Sequence, residues 1–528
     1  MRRLLLAYAA LALLGISGSA ASAGPKATGV AAGGFHSCAV TGTGGAKCWG
    51  SNQSGELGDG TTSEHHTPVD VSGLTSGVGA LTAGFSHTCA LTTSGGVKCW
   101  GGNLFGQLGD GTTNARLAPV DVSGLTSGAV AVAAGNSHTC ALTNAGGVKC
   151  WGNNGSGQLG GCPAPACSSP VDVSGLTSGV AAIATGFAHT CALTSAGGVK
   201  CWGLNNYGQL GDGTTTDSST PVDVSGLTSG VAAIGAGDYH TCAVTTGGGV
   251  KCWGFNNYGQ LGDGSTTDRP APTDVSGLAG GMRAVSAGGF HTCALTSSAG
   301  IKCWGSNGGG ELGDGTTADR HTPVDVVGLA SGVAAMAVGY FHTCVVTTAG
   351  AGLCWGSNDN GQLGNGTTSA NSHPVEVAGL EAPRTLTITK TGSGSGTVQS
   401  NPEGIDCGAT CSSSFDFGTQ VTLSARPRAG VGFAGWSGAC HGGRSCVLTI
   451  SNDSSVTARF VVLKCVVPNV LGQRLPKAKA RIVKAHCRVG KVTRRASTAA
   501  RRGRVLAQSP RAGKRLANGA RIKLTVGR

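Results

Sequence analysis

The chain has 528 residues, with 94 glycines, 22 cysteines and only 12% charged side chains. Such a length suggests about three domains, and a glycine count this high with few helix-favouring runs argues against a helical protein and for many short strands joined by tight turns. The net charge of +13 is uneven: 19 of the 38 Lys and Arg residues lie between Lys464 and Arg528, a stretch without Asp or Glu, and the remainder carries 19 basic against 25 acidic residues. A basic tail on a mildly acidic body favours polyanions: wall polymers, nucleic acid or an anionic surface.

The first 23 residues read as a secretory signal. Arg2 and Arg3 supply charge, Leu4 to Leu14 an apolar core, and Ala21-Ser22-Ala23 a cleavage site before Gly24. The Arg start and the Ala/Gly-rich style fit a bacterial exported protein. No later run is long and apolar enough to span a bilayer. Export implies an oxidising compartment, in which 22 cysteines read as eleven disulfides.

One 51-residue unit then recurs seven times. Its histidine falls at His36, His87, His138, His189, His240, His291 and His342, and two cysteines and a tryptophan keep step with it. A period of this size marks stacked supersecondary units in the range of four-stranded propeller blades. In the fourth unit the expected strands are 179–185, 189–194, 198–203 and 221–227. The second and third form a hairpin over Ser195-Ala196-Gly197, which puts Leu193 opposite Val199 and Cys191 opposite Cys201. A non-hydrogen-bonded pair, about 4.5 Å between Cα atoms, suits a cross-strand disulfide. The same spacing predicts one staple per unit: Cys38 with Cys48, Cys89 with Cys99, Cys140 with Cys150, Cys191 with Cys201, Cys242 with Cys252, Cys293 with Cys303, and Cys344 with Cys354. A metal reading of His-x-Cys plus a second Cys supplies only three ligands, and seven identical sites weigh against it.

The motifs AAGGFHSCAV (31–40) and WGSNQSGELG (49–58), repeated in tandem, resemble the regulator of chromosome condensation repeat family, from about Lys26 to Leu380. That resemblance implies a seven-bladed β-propeller. Asp-Gly at 59–60, 110–111, 212–213, 263–264 and 314–315 reads as turn chemistry. A histidine present once per blade reads as a blade-to-blade contact. The third unit replaces its GDGTT loop by GGCPAPACSSP (160–170), which Cys162 and Cys167 are expected to close. Whether the two chain ends share a blade is open.

Departures from the template are more informative about binding. Aromatic residues sit one or two places before the histidines: Phe35, Phe85, Phe187, Tyr239, Phe290, Tyr340 and Phe341. Those seven are the candidate partner-binding residues, because loops on rigid scaffolds carry function and aromatic side chains anchor interfaces. The alternative is that the rings fill gaps between blades. The other Phe and Tyr of the repeats, Phe105, Tyr207, Phe255 and Tyr258, fall in the W-G-x-N-x-x-G loop.

Two modules follow. Runs at 385–390, 420–427 and 455–461 around the turn GSGSG (392–396), with FAGWSGAC and SCVLTI, resemble bacterial surface β-repeats of the internalin B-repeat type. Cys407 with Cys411 and Cys440 with Cys446 are expected to staple its loops, and it reads as a spacer. Stretches 467–492 and 503–526 resemble a PASTA domain, which implies attachment to peptidoglycan-like material. Leu475, Ala478, Ile482 and Ala485 share one helix face with Pro476 in its first turn. Cys465 with Cys487 is expected to tie the preceding strand to the helix end.

The expected organisation is mainly β: a signal at 1–23, a seven-bladed β-propeller at 24–381, a small all-β module at 382–463 and a small α+β PASTA domain at 464–528. The expected role is an exported envelope protein that binds a protein or glycan at the propeller rim while its tail holds a cell-wall polymer, peptidoglycan or teichoic acid. Neither a membrane span nor nucleic acid is expected, and no catalytic residue, metal or cofactor. The alternatives are a guanine-nucleotide exchange factor, against which export argues, and a secreted enzyme inhibitor, since a secreted bacterial β-lactamase inhibitor protein shares the repeat. An enzyme is disfavoured because no repeat carries a nucleophile with its own base and orienting group. Fold class does not decide among these.

Overall fold

The computed structural model describes residues 26–408, 411–443 and 445–528. The signal reading of 1–23 lies outside them. Each repeat folds as one antiparallel sheet of four strands in sequence order, and seven such sheets follow one another among the described residues. In the first sheet the strands are Ala27–Ala32, His36–Thr41, Ala46–Gly50 and His65–Asp70. The second strand is buried along its whole length, because a neighbouring sheet covers each of its faces. Strand alternation then cannot show as polar-out, apolar-in.

The hairpin register is the one the spacing predicts. Leu193 pairs with Val199 and Cys191 with Cys201, and the Cys191–Cys201 bridge spans 4.1 Å between Cα atoms. The other six repeat pairs are bridged alike, with Cα separations of 4.0 to 4.1 Å. Cys162 is bonded to Cys167 in the third sheet's loop. With every sulfur so engaged, the metal reading of the repeat cysteines lapses.

The fourth strand differs from expectation. It runs over Ser218–Asp223, not 221–227, and the Val-Ser-Gly-Leu segment behind it is a turn. Val224 N–H donates to the Val199 carbonyl at 3.0 Å, Leu227 N–H to Val224 at 3.1 Å, and Val199 N–H to Leu227 at 2.8 Å. Gly226 turns the chain with φ of +72°, and Val224 and Leu227 are buried against their own sheet. Apolar residues therefore mark a capping turn here, not a strand.

Each sheet meets the next through one tryptophan. Trp100, fully buried, enters a cluster with Cys38, Cys48, Leu57 and Val71 of the preceding sheet. Trp202 does the same against Cys140, Cys150 and Leu159. The last interface repeats the pattern: Trp49 of the first sheet packs with Cys344, Cys354 and Leu363 of the seventh. Every sheet is contiguous in sequence, so the ends share none. Closure rests on side-chain packing and on hydrogen bonds such as Trp49 Nε1 to the Gln362 carbonyl at 2.8 Å.

The chain divides into two units, one ending at Ala382 and one from Pro383 to Arg528. In the second unit two sheets, one of four strands and one of three, enclose a core of Leu386, Val398, Leu423, Trp436, Val456 and Phe460. Cys407–Cys411 and Cys440–Cys446 are bridged there. The helix Leu475–Lys484 starts with proline in its first turn and buries Ala478 and Ile482, and Cys465 is bonded to Cys487.

Candidate functional site

The seven histidines form a buried collar. His36 Nε2 lies 2.8 Å from Thr88 Oγ1 of the next sheet, and the pairs His87–Thr139, His138–Thr190, His189–Thr241, His240–Thr292 and His291–Thr343 repeat this at 2.8 to 3.0 Å. His342 closes the circle onto Ser37 Oγ at 2.7 Å. Thr88 donates its one hydroxyl proton to the Glu56 carbonyl at 2.8 Å, so His36 must donate from Nε2. Its Nδ1 is then a bare acceptor without a partner. Burial lowers His36 to about 4 and the other six to about 3, which keeps the collar neutral. A Cβ on Gly33 would lie 2.5 Å from both the Gly84 carbonyl oxygen and His36 Cε1. The glycine three places before each histidine is thus required by close approach.

Inside the collar the first strands of all seven sheets line a channel of about 290 Å³. Its wall is mostly Ala and Gly with Val, Leu and Ile. One end is ringed by residues two places before the histidines: Gly34, Phe85, Asn136, Asp238, Gly289 and Tyr340 line it. Their backbone positions are set by bonds to the neighbouring sheet, for example Asp238 N–H to the Gly288 carbonyl at 3.1 Å and Tyr340 N–H to Gly33 at 3.1 Å.

The candidate aromatic residues all meet at this mouth, each half-buried. Phe85 contacts Phe35 at 5.5 Å between ring centroids and Tyr340 at 5.4 Å. Phe341 joins Phe35, Phe290 and Tyr340. Phe290 leads through Tyr258 and Phe255 to Tyr207 and Tyr239, and Tyr239 stacks on Phe187 at 5.2 Å. Ten rings therefore make one connected arc, which includes Tyr207, Phe255 and Tyr258 from the neighbouring loop. Only the third repeat, with Asn136 and Ser137 at these positions, contributes no ring. The rings pack on one another across sheets and also keep exposed edges.

Asp238 stands at the same mouth, outside the aromatic positions that the sequence pattern singles out. It is 8% exposed, lies beside the Tyr340 phenol, and burial pushes its carboxyl up to about 7. Its Oδ2 has no hydrogen-bond partner. Burial first, and Asp238 second, raise the Tyr340 phenol. The signal was available: of the seven residues two places before the histidines, Asp238 alone is charged.

In the second unit, a shallow pocket is lined by Gly472, Gln473, Arg474, Pro476, Lys477 and Arg504. Among the described residues no helix is long and apolar enough to cross a membrane.

Comparison with known proteins agrees with this architecture. The pattern of the RCC1-like domain matches residues 19–282 and 129–400, that of the divergent InlB B-repeat domain 385–463 and that of the PASTA domain 466–528. The chain is 33% identical over 360 residues to the Ultraviolet-B receptor UVR8 of Arabidopsis thaliana, across 66% of this chain and 81% of that protein. It is 34% identical over 358 residues to the E3 ubiquitin-protein ligase HERC2 of Homo sapiens, of which it spans only 7%. Among solved structures, human WBSCR16 superposes with a TM-score of 0.57 at 25% identity, over 63% of this chain and 93% of that one. Prp20p from Saccharomyces cerevisiae superposes at 0.54 and 21% identity, over 67% and 87%, a likeness of fold alone.

Proposed function

Because the chain belongs to the RCC1-like domain family, we propose that its propeller, taken as seven-bladed over 24–381, is a binding module and not an enzyme. The aromatic mouth holds a protein or glycan partner, and the basic C-terminal domain at 464–528 attaches the exported chain to a cell-wall polymer. The observation that carries the reading is the connected arc of ten rings at one channel mouth. Structural packing alone needs the same residue in every repeat, as the collar shows, and these rings differ from repeat to repeat.

The tail supports attachment in a simpler way. Its 19 basic residues face no carboxylate of their own module, so a polyanion supplies the missing counter-charge. Eleven disulfides and a surface-type β-repeat suit the outside of a cell. The exchange-factor and enzyme-inhibitor readings rest on fold likeness, and no residue of this chain carries them.

The test uses the full chain beside a variant with Tyr239, Phe290, Tyr340 and Phe341 changed to Ala. Each is offered to culture extracts and, separately, to purified cell walls with and without teichoic acid. A partner retained by the native chain and lost by the variant, with wall binding unchanged, supports the reading. Equal retention by both removes the rim as a binding face, and salt-independent or absent wall binding removes the attachment.

A further inference from the structure

Among the described residues, the one charged group lining the channel is Asp238. The residues lining the channel include no lysine, arginine or histidine and no second carboxylate. Asp238 is almost fully buried, yet its Oδ2 lacks any hydrogen-bond donor. A buried carboxyl without a counter-charge is unfavourable in a molecule whose other repeats carry Gly, Phe, Asn or Tyr there. Beside it stands the ring of Tyr340, which touches Phe85 edge to face, and both rings line the channel with it. Anionic oxygen flanked by aromatic rings is the chemistry that receives an organic cation.

We propose that the channel mouth receives one cationic side chain, the guanidinium of arginine or the ammonium of lysine on a peptide segment, with Asp238 as its counter-ion and Phe85 and Tyr340 as its walls. The inference rests on reading this mouth as the binding face and names what it binds. Charge complementarity selects the occupant: a neutral sugar leaves the carboxyl unpaired, and an anion is repelled by it. A channel of about 290 Å³, some ten times the ~30 Å³ share of a liquid water, admits a side chain and excludes a folded domain.

The cation needs Asp238 ionised, and burial holds that carboxyl near 7. The other groups around it stay neutral. The phenols of Tyr239 and Tyr340 are raised, and His189 and His240 behind them are lowered to about 3. Binding is therefore expected to strengthen with pH, mainly between about pH 6 and 8.

The experiment is calorimetric titration of the full chain with a blocked Gly-Gly-Arg-Gly-Gly peptide, its lysine and citrulline counterparts, argininamide and N-acetylglucosamine. Asp238→Asn and Tyr340→Phe are titrated in parallel, with circular dichroism to verify the fold. The arginine peptide should bind on the order of tenfold or more tighter than the citrulline peptide. Asp238→Asn should lose that preference and the pH dependence, while Tyr340→Phe, which keeps the ring, should retain both. Equal binding of arginine and citrulline peptides, preference for the sugar, indifference to Asp238→Asn, or no binding at millimolar peptide would each overturn the site. Argininamide binding tighter than the peptide would overturn the peptide as its source. Should the native rim still hold a partner that Asp238→Asn also holds, the cation site fails and the binding face stands.

Discussion

The seven histidines and the seven residues two places before them occupy the same turn of every repeat, yet their physics is opposite. The histidines are identical, fully buried and hydrogen-bonded through Nε2 to a hydroxyl of the next sheet. The residues before them are Gly, Phe, Asn, Phe, Asp, Gly and Tyr, and all but Phe187 line a channel mouth. Identity around a closed ring is what packing requires, because each position meets the same neighbour seven times. Variation around it breaks that equivalence and makes one side of the mouth unlike the other. In this molecule the repeated position serves packing, and the proposed recognition lies where the repeats differ.

That contrast can be broken by acid. The collar histidines are held neutral by burial, at about 3 to 4 against 6.5 in the unfolded chain. Lowered values in the fold mean that stability is complete above about pH 6.5 and falls as pH drops, since the unfolded chain binds more protons. Each histidine costs up to about 1.4 kcal/mol per pH unit in that window. Tryptophan fluorescence against pH should show one steep transition between about pH 6 and 4, with several protons taken up. A shallow transition would mean that the collar opens locally.

Next in size is Trp202→Ala, which empties a fully buried site between two sheets and should lower stability by about 3–5 kcal/mol, read from the denaturant midpoint. Asp238→Asn should act with the opposite sign. Burial raises that carboxyl to about 7 from 3.8, so its ionisation destabilises the fold progressively as pH rises through that range. The variant should be more stable than the native chain at pH 8, by up to a few kcal/mol, and nearly equal to it at pH 4. Paired melting curves at the two pH values read this, and a destabilised variant at pH 8 would place Asp238 among the packing residues. Smallest is Lys200→Ala. Its pair with Asp223 at 2.7 Å is solvent-exposed, so the melting temperature should change by no more than about 0.5 kcal/mol allows.

Much of this was legible in the chain. The ten-residue spacing of Cys191 and Cys201 defined the hairpin register, and the bridge follows from strand alternation alone. The face of Leu475, Ala478 and Ile482 was readable from helical spacing. The fourth strand was misread because Val224 and Leu227 look like strand residues, whereas they cap their own sheet from a turn held by Gly226. Asp238 was overlooked because a lone acid in a loop reads as solvated. Its burial comes from Tyr340, two repeats away, and from the neighbouring sheet.

What the sequence determined by itself is the repeated unit: strand alternation, turn glycines and cysteine spacing act between near neighbours and need no distant partner. The tertiary structure alone decided three matters. Trp49 reaches the Gln362 carbonyl, so the ring closes by packing without a shared sheet. Ten scattered rings meet as one arc. A single carboxylate ends up buried beside them. Each depends on residues far apart in sequence that only the folded ring brings together, and no local pattern encodes such a contact.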